Sequence, residues 1–208
     1  MLVIGNPTKD LPGAEREAKA VAAMLEEAGA YVTALIGDDT RAEIGYGEVS
    51  GVLDTKSFDV VHYAGHAKFD PLREGASGLV LVDRTLTADD LATRRNLPGL
   101  FVANACNSAQ TGEGRPNPFE GALETLNLVS GLLSAGVRGF VGSAWKVDDE
   151  AATTFATAFY EAIRGTNGSL PLGEAVRLGR EAIVAEHGEG QPSWAAYALY
   201  GGPWRAAF

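Results

Sequence analysis

Phe58-Asp-Val-Val-His-Tyr-Ala64 is the stretch whose reading decides the fold. Its apolar residues fill consecutive positions, as in a strand covered on both faces inside a parallel sheet. It runs straight into Gly65-His66-Ala67. Leu100-Phe-Val-Ala103 reads the same way and runs into Asn104-Ala-Cys-Asn-Ser108. Outward from these two, Leu2-Val-Ile-Gly5, Ala30 to Ile36 and Gly139-Phe-Val-Gly142 read as further core strands. Gly78 to Val82 reads as an accessory strand, and Ala195 to Tyr200 as a last strand ended by Gly201-Gly-Pro203.

Helices alternate with these strands. Ala14 to Ala28 carries Ala18, Val21, Ala22 and Leu25 at helical spacing and stops at Gly29. Asp148 to Arg164 shows a stripe of Phe155, Phe159 and Ile163, and Leu172 to His187 forms another helix. Phe119 to Ala135 contains a helix, and Thr87 to Leu91 has a capping pattern for a short one. Thr40 is expected to cap a weaker helical stretch after it. The alternation predicts an α/β sandwich with a mostly parallel central sheet, whose sites form at the carboxyl ends of strands.

Composition narrows the function. The 208 residues suit one domain, and 46% hydrophobic against 21% charged residues allows a sizeable core. Lys and Arg number 17 against 27 Asp and Glu, a net charge of −10 that argues against a nucleic-acid phosphate surface. The single cysteine cannot form an internal disulfide. There is no apolar run long enough to span a bilayer and no leader pattern at Met1 to Pro7, so the expectation is no membrane and a cytoplasmic home. The apolar run starts at residue 2, so residues 1–208 are expected to be one domain of a longer protein.

Two predicted strand ends carry chemistry. A thiol and an imidazole at neighbouring strand ends suit nucleophilic catalysis, because the imidazole can lower the thiol's pKa or take its proton. A lone cysteine often only packs. Cys106, however, follows the apolar run and sits among Asn, Ser and Gln. His66 lies between Gly65 and a polar loop. His62, inside its strand, reads as a satisfied core histidine or one that supports the site from behind, rather than a catalytic group, and His187, near a helix end, as a dipole or solvent residue. Three His and one Cys offer no metal-ligand spacing, and no phosphate fingerprint or Gly-x-Ser-x-Gly elbow is present, so neither metal nor cofactor is expected.

An ordered series of segments then resembles the CHAT branch of the caspase-like (clan CD) peptidases. These are Val3-Ile-Gly-Asn-Pro7, Leu11-Pro-Gly-Ala-Glu15, Val61-His-Tyr-Ala-Gly-His66, Gly78-Leu-Val-Leu81, Asn104-Ala-Cys-Asn-Ser108, Leu128-Val-Ser-Gly-Leu132 through Gly136, Gly142-Ser-Ala-Trp-Lys-Val-Asp-Asp149, and Trp194 before Gly201. The resemblance implies a caspase-like three-layer α/β/α sandwich and a cysteine endopeptidase acting on a protein or peptide. His66 would be base and then acid, and Cys106 the nucleophile forming an acyl-enzyme. Backbone N–H groups of Cys106 and Ala67 would hold the oxyanion. Ala67 stands where the family usually has glycine, which leaves the N–H in place and adds a methyl. By position, Asn104, Trp145, Lys146 and Asp148 resemble residues lining the pocket for the substrate residue before the cut. Lys146 would favour an acidic side chain and Asp148 a basic one, and Asp148 equally reads as a helix cap and Trp145 as a core aromatic. Relatives are often switched by a repeat or sensor module.

Two rivals remain at the level of sequence. One is a catalytically silent CHAT-like binding module using the same cleft, favoured by the Ala67 departure. The other is a flavodoxin-like domain holding a small anion at the Gly5-Asn6 turn, with no dependence on Cys106.

Overall fold

The computed structural model describes residues 1–41, 43–68, 70, 72–107 and 128–206, the side chains at 74, 106 and 107 excepted. In chain order its strands are β1 (Leu2–Gly5), β2 (Thr33–Ile36), β3 (Val60–Lys68), β4 (Gly78–Val80), β5 (Thr85–Thr87), β6 (Leu100–Asn107), β7 (Gly139–Ser143) and β8 (Tyr197–Gly201). Its helices are α1 (Pro12–Glu27), α2 (Tyr46–Thr55), α3 (Ala88–Ala92), α4 (described over 128–135), α5 (Asp149–Gly165), α6 (Leu172–His187) and the short α7 (Ser193–Ala196).

The sheet runs β2-β1-β3-β6-β7-β8. Every neighbour pair from β2 to β7 is parallel, and β8 closes the edge antiparallel to β7. β4 and β5 form a hairpin that pairs with the far end of β3 at Ala67 and Lys68, beyond the last residue of β1.

Alternation along each strand builds two cores. Val3, Val60, Leu100, Val102 and Val141 face α1, α5 and α6. Leu2, Ile4, Val61, Tyr63, Phe101, Ala103 and Phe140 face α2, α3 and α4. On the first face Phe155 stacks on Tyr197 with ring centroids 3.5 Å apart, joining α5 to the edge strand. Helix α1 lies hard against β1. A Cβ on Gly5 would fall 2.2 Å from the Ala18 Cβ, so glycine is what permits this approach. Gly29 follows α1 with φ +80, the left-handed conformation that ends a helix cheaply only at glycine.

The sandwich and its parallel sheet are as the sequence predicts; several boundaries differ. β3 and β6 run on past Ala64 and Ala103, so His66 and Cys106 lie within strands rather than just after them. The extensions hold because each strand still has the other as a ladder partner as far as Ala67 and Asn107. Thr40 caps no helix: its N–H and hydroxyl bind Asp38, and α2 begins only at Tyr46 with Gly45 before it. The predicted last strand begins as α7 and becomes β8 only at Tyr197. Residues 119–127 of the predicted helix and the Gly/Pro loop before it lie outside the described residues.

Candidate active site

Chain register creates the site. β3 and β6 are parallel neighbours, and His66 is the register partner of Cys106. Two residues nearer the strand starts, Ala64 is paired with Asn104. Both positions lie at the carboxyl edge, where open α/β sheets place their sites.

His66 is partly buried, and its Nε2 lies 2.9 Å from Asp10 Oδ2. The loop that brings Asp10 there is organised by Asn6, a buried residue with φ +46 at the end of β1. Its Oδ1 accepts from the Leu11 N–H at 2.9 Å, and its Nδ2 donates to the Gly37 carbonyl at 3.1 Å. Partial burial disfavours the Asp10 charge. Hydrogen bonds from Thr8 and His66, with the nearby imidazole, outweigh it and hold the carboxyl below its ordinary range. Asp10 therefore stays an anion against the imidazole.

A second polar group lies inside, under the same face of the sheet. Glu17 of α1 is 2% exposed. Its Oε1 accepts from Asn104 Nδ2 at 2.5 Å and lies 3.1 Å from His62 Nε2, close enough for an ion pair but without hydrogen-bond alignment. His62 Nδ1 meets the Tyr160 hydroxyl of α5 at 3.2 Å. Burial, with the Glu17 charge, pushes the Tyr160 phenol well above its usual pKa. His62 is thus buried in the core as its strand position predicts, with Nδ1 engaged and Nε2 without a hydrogen bond.

The remaining sequence candidates differ in burial and partners. Asn104 is buried, its amide donating to Glu17. Asp148 is exposed and caps α5, its Oδ1 accepting from the N–H groups of Glu150 and Ala151 at 3.0 and 3.2 Å. Lys146 is exposed, and Trp145 is partly buried against the α5 core. Ala67 is 1% exposed with its methyl in the α2–α4 core, on the face of β3 opposite His66. His187, the half-buried last residue of α6, lies with Nε2 3.0 Å from Thr154 Oγ1 of α5.

Sequence reading missed Asp10, Glu17 and Tyr63. Asp10 read as one residue of a turn. Glu17 gives a recoverable signal: it lies one helical turn before Val21, on the stripe expected to be buried. A buried acid needs a buried partner, and His62 and Asn104 are polar residues in or beside the strands beneath that stripe.

An imidazole and a cysteine in register at the carboxyl edge of a β2-β1-β3-β6-β7-β8 sheet mark a caspase-like cysteine-peptidase fold. The chain belongs to the CHAT domain family, whose profile matches residues 1–202. It is similar in structure to the Arg-specific cysteine proteinase gingipain R, with TM-score 0.63 and 13% identity, over 93% of this chain and 42% of that one. The complex of pro- and mature domains from the Porphyromonas gingivalis protein gives TM-score 0.64 and 13% identity, covering 98% and 47% of the two chains. Separase in the Saccharomyces cerevisiae separase–securin complex gives TM-score 0.61 and 18% identity, covering 97% and 12%. The chain thus spans less than half the length of each of these relatives. No curated protein sequence matches. Among the described residues, no helix is long and apolar enough to cross a membrane, and no group of three or more His, Cys, Asp or Glu is arranged to hold a metal ion.

Proposed function

We propose that the chain is a cysteine endopeptidase domain in which His66 and Cys106 form the catalytic pair. The observation that carries the reading is the His66–Cys106 register, with Asp10 on one nitrogen of the imidazole. Asp10 holds Nε2, which leaves Nδ1 to take the Cys106 proton. The thiolate attacks the scissile carbonyl, and the bond from carbon to the leaving amine breaks as His66 returns the proton to that nitrogen. Water, deprotonated by the same imidazole, then releases the acid from the acyl-enzyme. Backbone N–H groups of Ala67 and Cys106 are the proposed oxyanion donors. The methyl of Ala67 sits in the opposite core, so it takes no room from the substrate face.

The pocket for the substrate residue before the cut is assigned to Asn104, Trp145, Lys146 and Asp148. Asn104 acts there as a fixed base, because its amide is committed to Glu17. Asp148 has one oxygen engaged in capping α5, and it remains the acid available to a basic side chain. Two of the similar structures hold a second polypeptide element, securin in one and a pro-domain in the other. By analogy with those assemblies, a partner or an adjoining module of a longer chain is proposed to govern the cleft here.

The test is incubation of wild type and Cys106→Ala with a peptide library, read by mass spectrometry. Cleavage at a defined residue by wild type alone supports the reading. Equal cleavage by both, or none by wild type with its partner present, contradicts it.

A further inference from the structure

We propose that Tyr63 is a positioning residue that fixes the His66–Ala67 peptide, and through it the imidazole opposite Cys106. The inference rests on the peptidase reading above.

The ladder beside β3 has a gap. β1 pairs with β3 only as far as Ala64, opposite Gly5, and β4 pairs only from Ala67 onward. Gly65 and His66 lie between them, with no described strand beside them on that side. The Ala64 carbonyl receives the Asn6 N–H at 2.9 Å. Carbonyls alternate along a strand, so that of His66 faces the same side, two residues on. There it meets a side chain instead of a backbone. Tyr63 Oη lies 2.6 Å from the His66 carbonyl oxygen and 2.8 Å from that of Val80. One O–H hydrogen serves both acceptors, and the shorter contact is to His66.

The sequence is built to allow this reach. Tyr63 is fully buried on the face of β3 away from His66. Its ring crosses the space a side chain at residue 65 would fill. A Cβ on Gly65 would stand 2.5 Å from Oη and 2.7 Å from Cζ. Burial drives the phenol pKa far above any working pH, so the hydroxyl remains a donor throughout. The Tyr-x-Gly-His order thus places a buried donor, a cleared path and the imidazole on one strand.

The consequence follows from a rigid peptide plane. Holding the His66 carbonyl restrains the plane of the His66–Ala67 peptide, and with it the backbone from which the imidazole projects and the direction of the following N–H. Asp10 restrains the imidazole from its far nitrogen. Tyr63 restrains the same residue at the main chain, from the core. Catalytic geometry tolerates about 0.5 Å of error, which a chain edge without a neighbour would not keep by itself.

The experiment is the pH profile of Cys106 alkylation by iodoacetamide in wild type, Tyr63→Phe and Gly65→Ala, each confirmed folded by its denaturation curve. Gly65→Ala pushes Oη off the carbonyl without deleting the hydroxyl, so it provides the answer if Tyr63→Phe does not fold. The expected result is a reactive thiolate in wild type below pH ~8.5, with a loss of about tenfold in alkylation rate at pH 6.5 in both variants. Loss of stability alone does not move that profile. A depressed profile in wild type retained in the folded variants overturns the role of Tyr63. An ordinary thiol profile in wild type overturns the peptidase reading, and the positioning role with it.

Discussion

The Asp10 carboxylate and the His66 imidazole are joined at 2.9 Å although 56 residues separate them in the chain. The contact engages Nε2 of His66, which in the proposed mechanism leaves Nδ1 to serve Cys106.

Asp10→Asn keeps the shape and removes the charge. We expect kcat to fall about tenfold with little change in KM, the rate equivalent of one hydrogen bond to a charged group. Steady-state kinetics on a cleaved peptide check this. Unchanged kcat would remove Asp10 from the site.

The same pair predicts a pH effect on stability. The folded pKa of Asp10 is depressed, so its contribution is present above the unfolded carboxylate value of about 3.9 and is lost as pH falls through the lower folded value. Urea denaturation should therefore separate wild type from Asp10→Asn at pH 7, with the gap closing toward pH 3. A gap that widens on acidification would contradict the assigned direction.

How far the sequence reveals this arrangement depends on the type of residue. The parallel sheet is legible because runs such as Val60-Val61 and Phe101-Val102 are apolar at successive positions, which only burial on both faces explains. His66 and Cys106 are legible because each follows such a run on the same side of the sheet. Asp10 is not legible. Its position depends on the φ of Asn6 and two hydrogen bonds from that side chain, a tertiary outcome with no periodic trace. The ends of β3 and β6 are missed for a related reason. Gly65, Asn104 and Asn107 have poor strand propensity, and the ladder between the two strands overrides it.

Glu17→Ala leaves the buried Asn104 amide without its acceptor and removes the carboxylate beside His62 Nε2. We expect a loss of about 2–4 kcal/mol in urea denaturation, and less for Glu17→Gln, which keeps an acceptor oxygen. An alanine variant as stable as wild type would show that the cluster is not a structural link between α1 and the sheet.

Packing in the α1–α5–α6 layer gives two independent checks. Phe155→Ala removes a fully buried ring stacked on Tyr197 and should cost about 3–5 kcal/mol. Gly5→Ala drives a methyl into Ala18 and should cost about 1–3 kcal/mol. Thermal denaturation of both variants reads these losses. A Gly5→Ala variant with wild-type Tm would mean α1 does not approach β1 as closely as described.

The most direct measurement of the central claim is the rate of Cys106 alkylation against pH in wild type and in His66→Ala. An imidazole paired with the thiol predicts reaction well below the ordinary thiol pKa of about 8.5 in wild type, shifting up to that value when His66 is removed. Identical profiles in the two folded proteins would contradict the pair and the mechanism built on it.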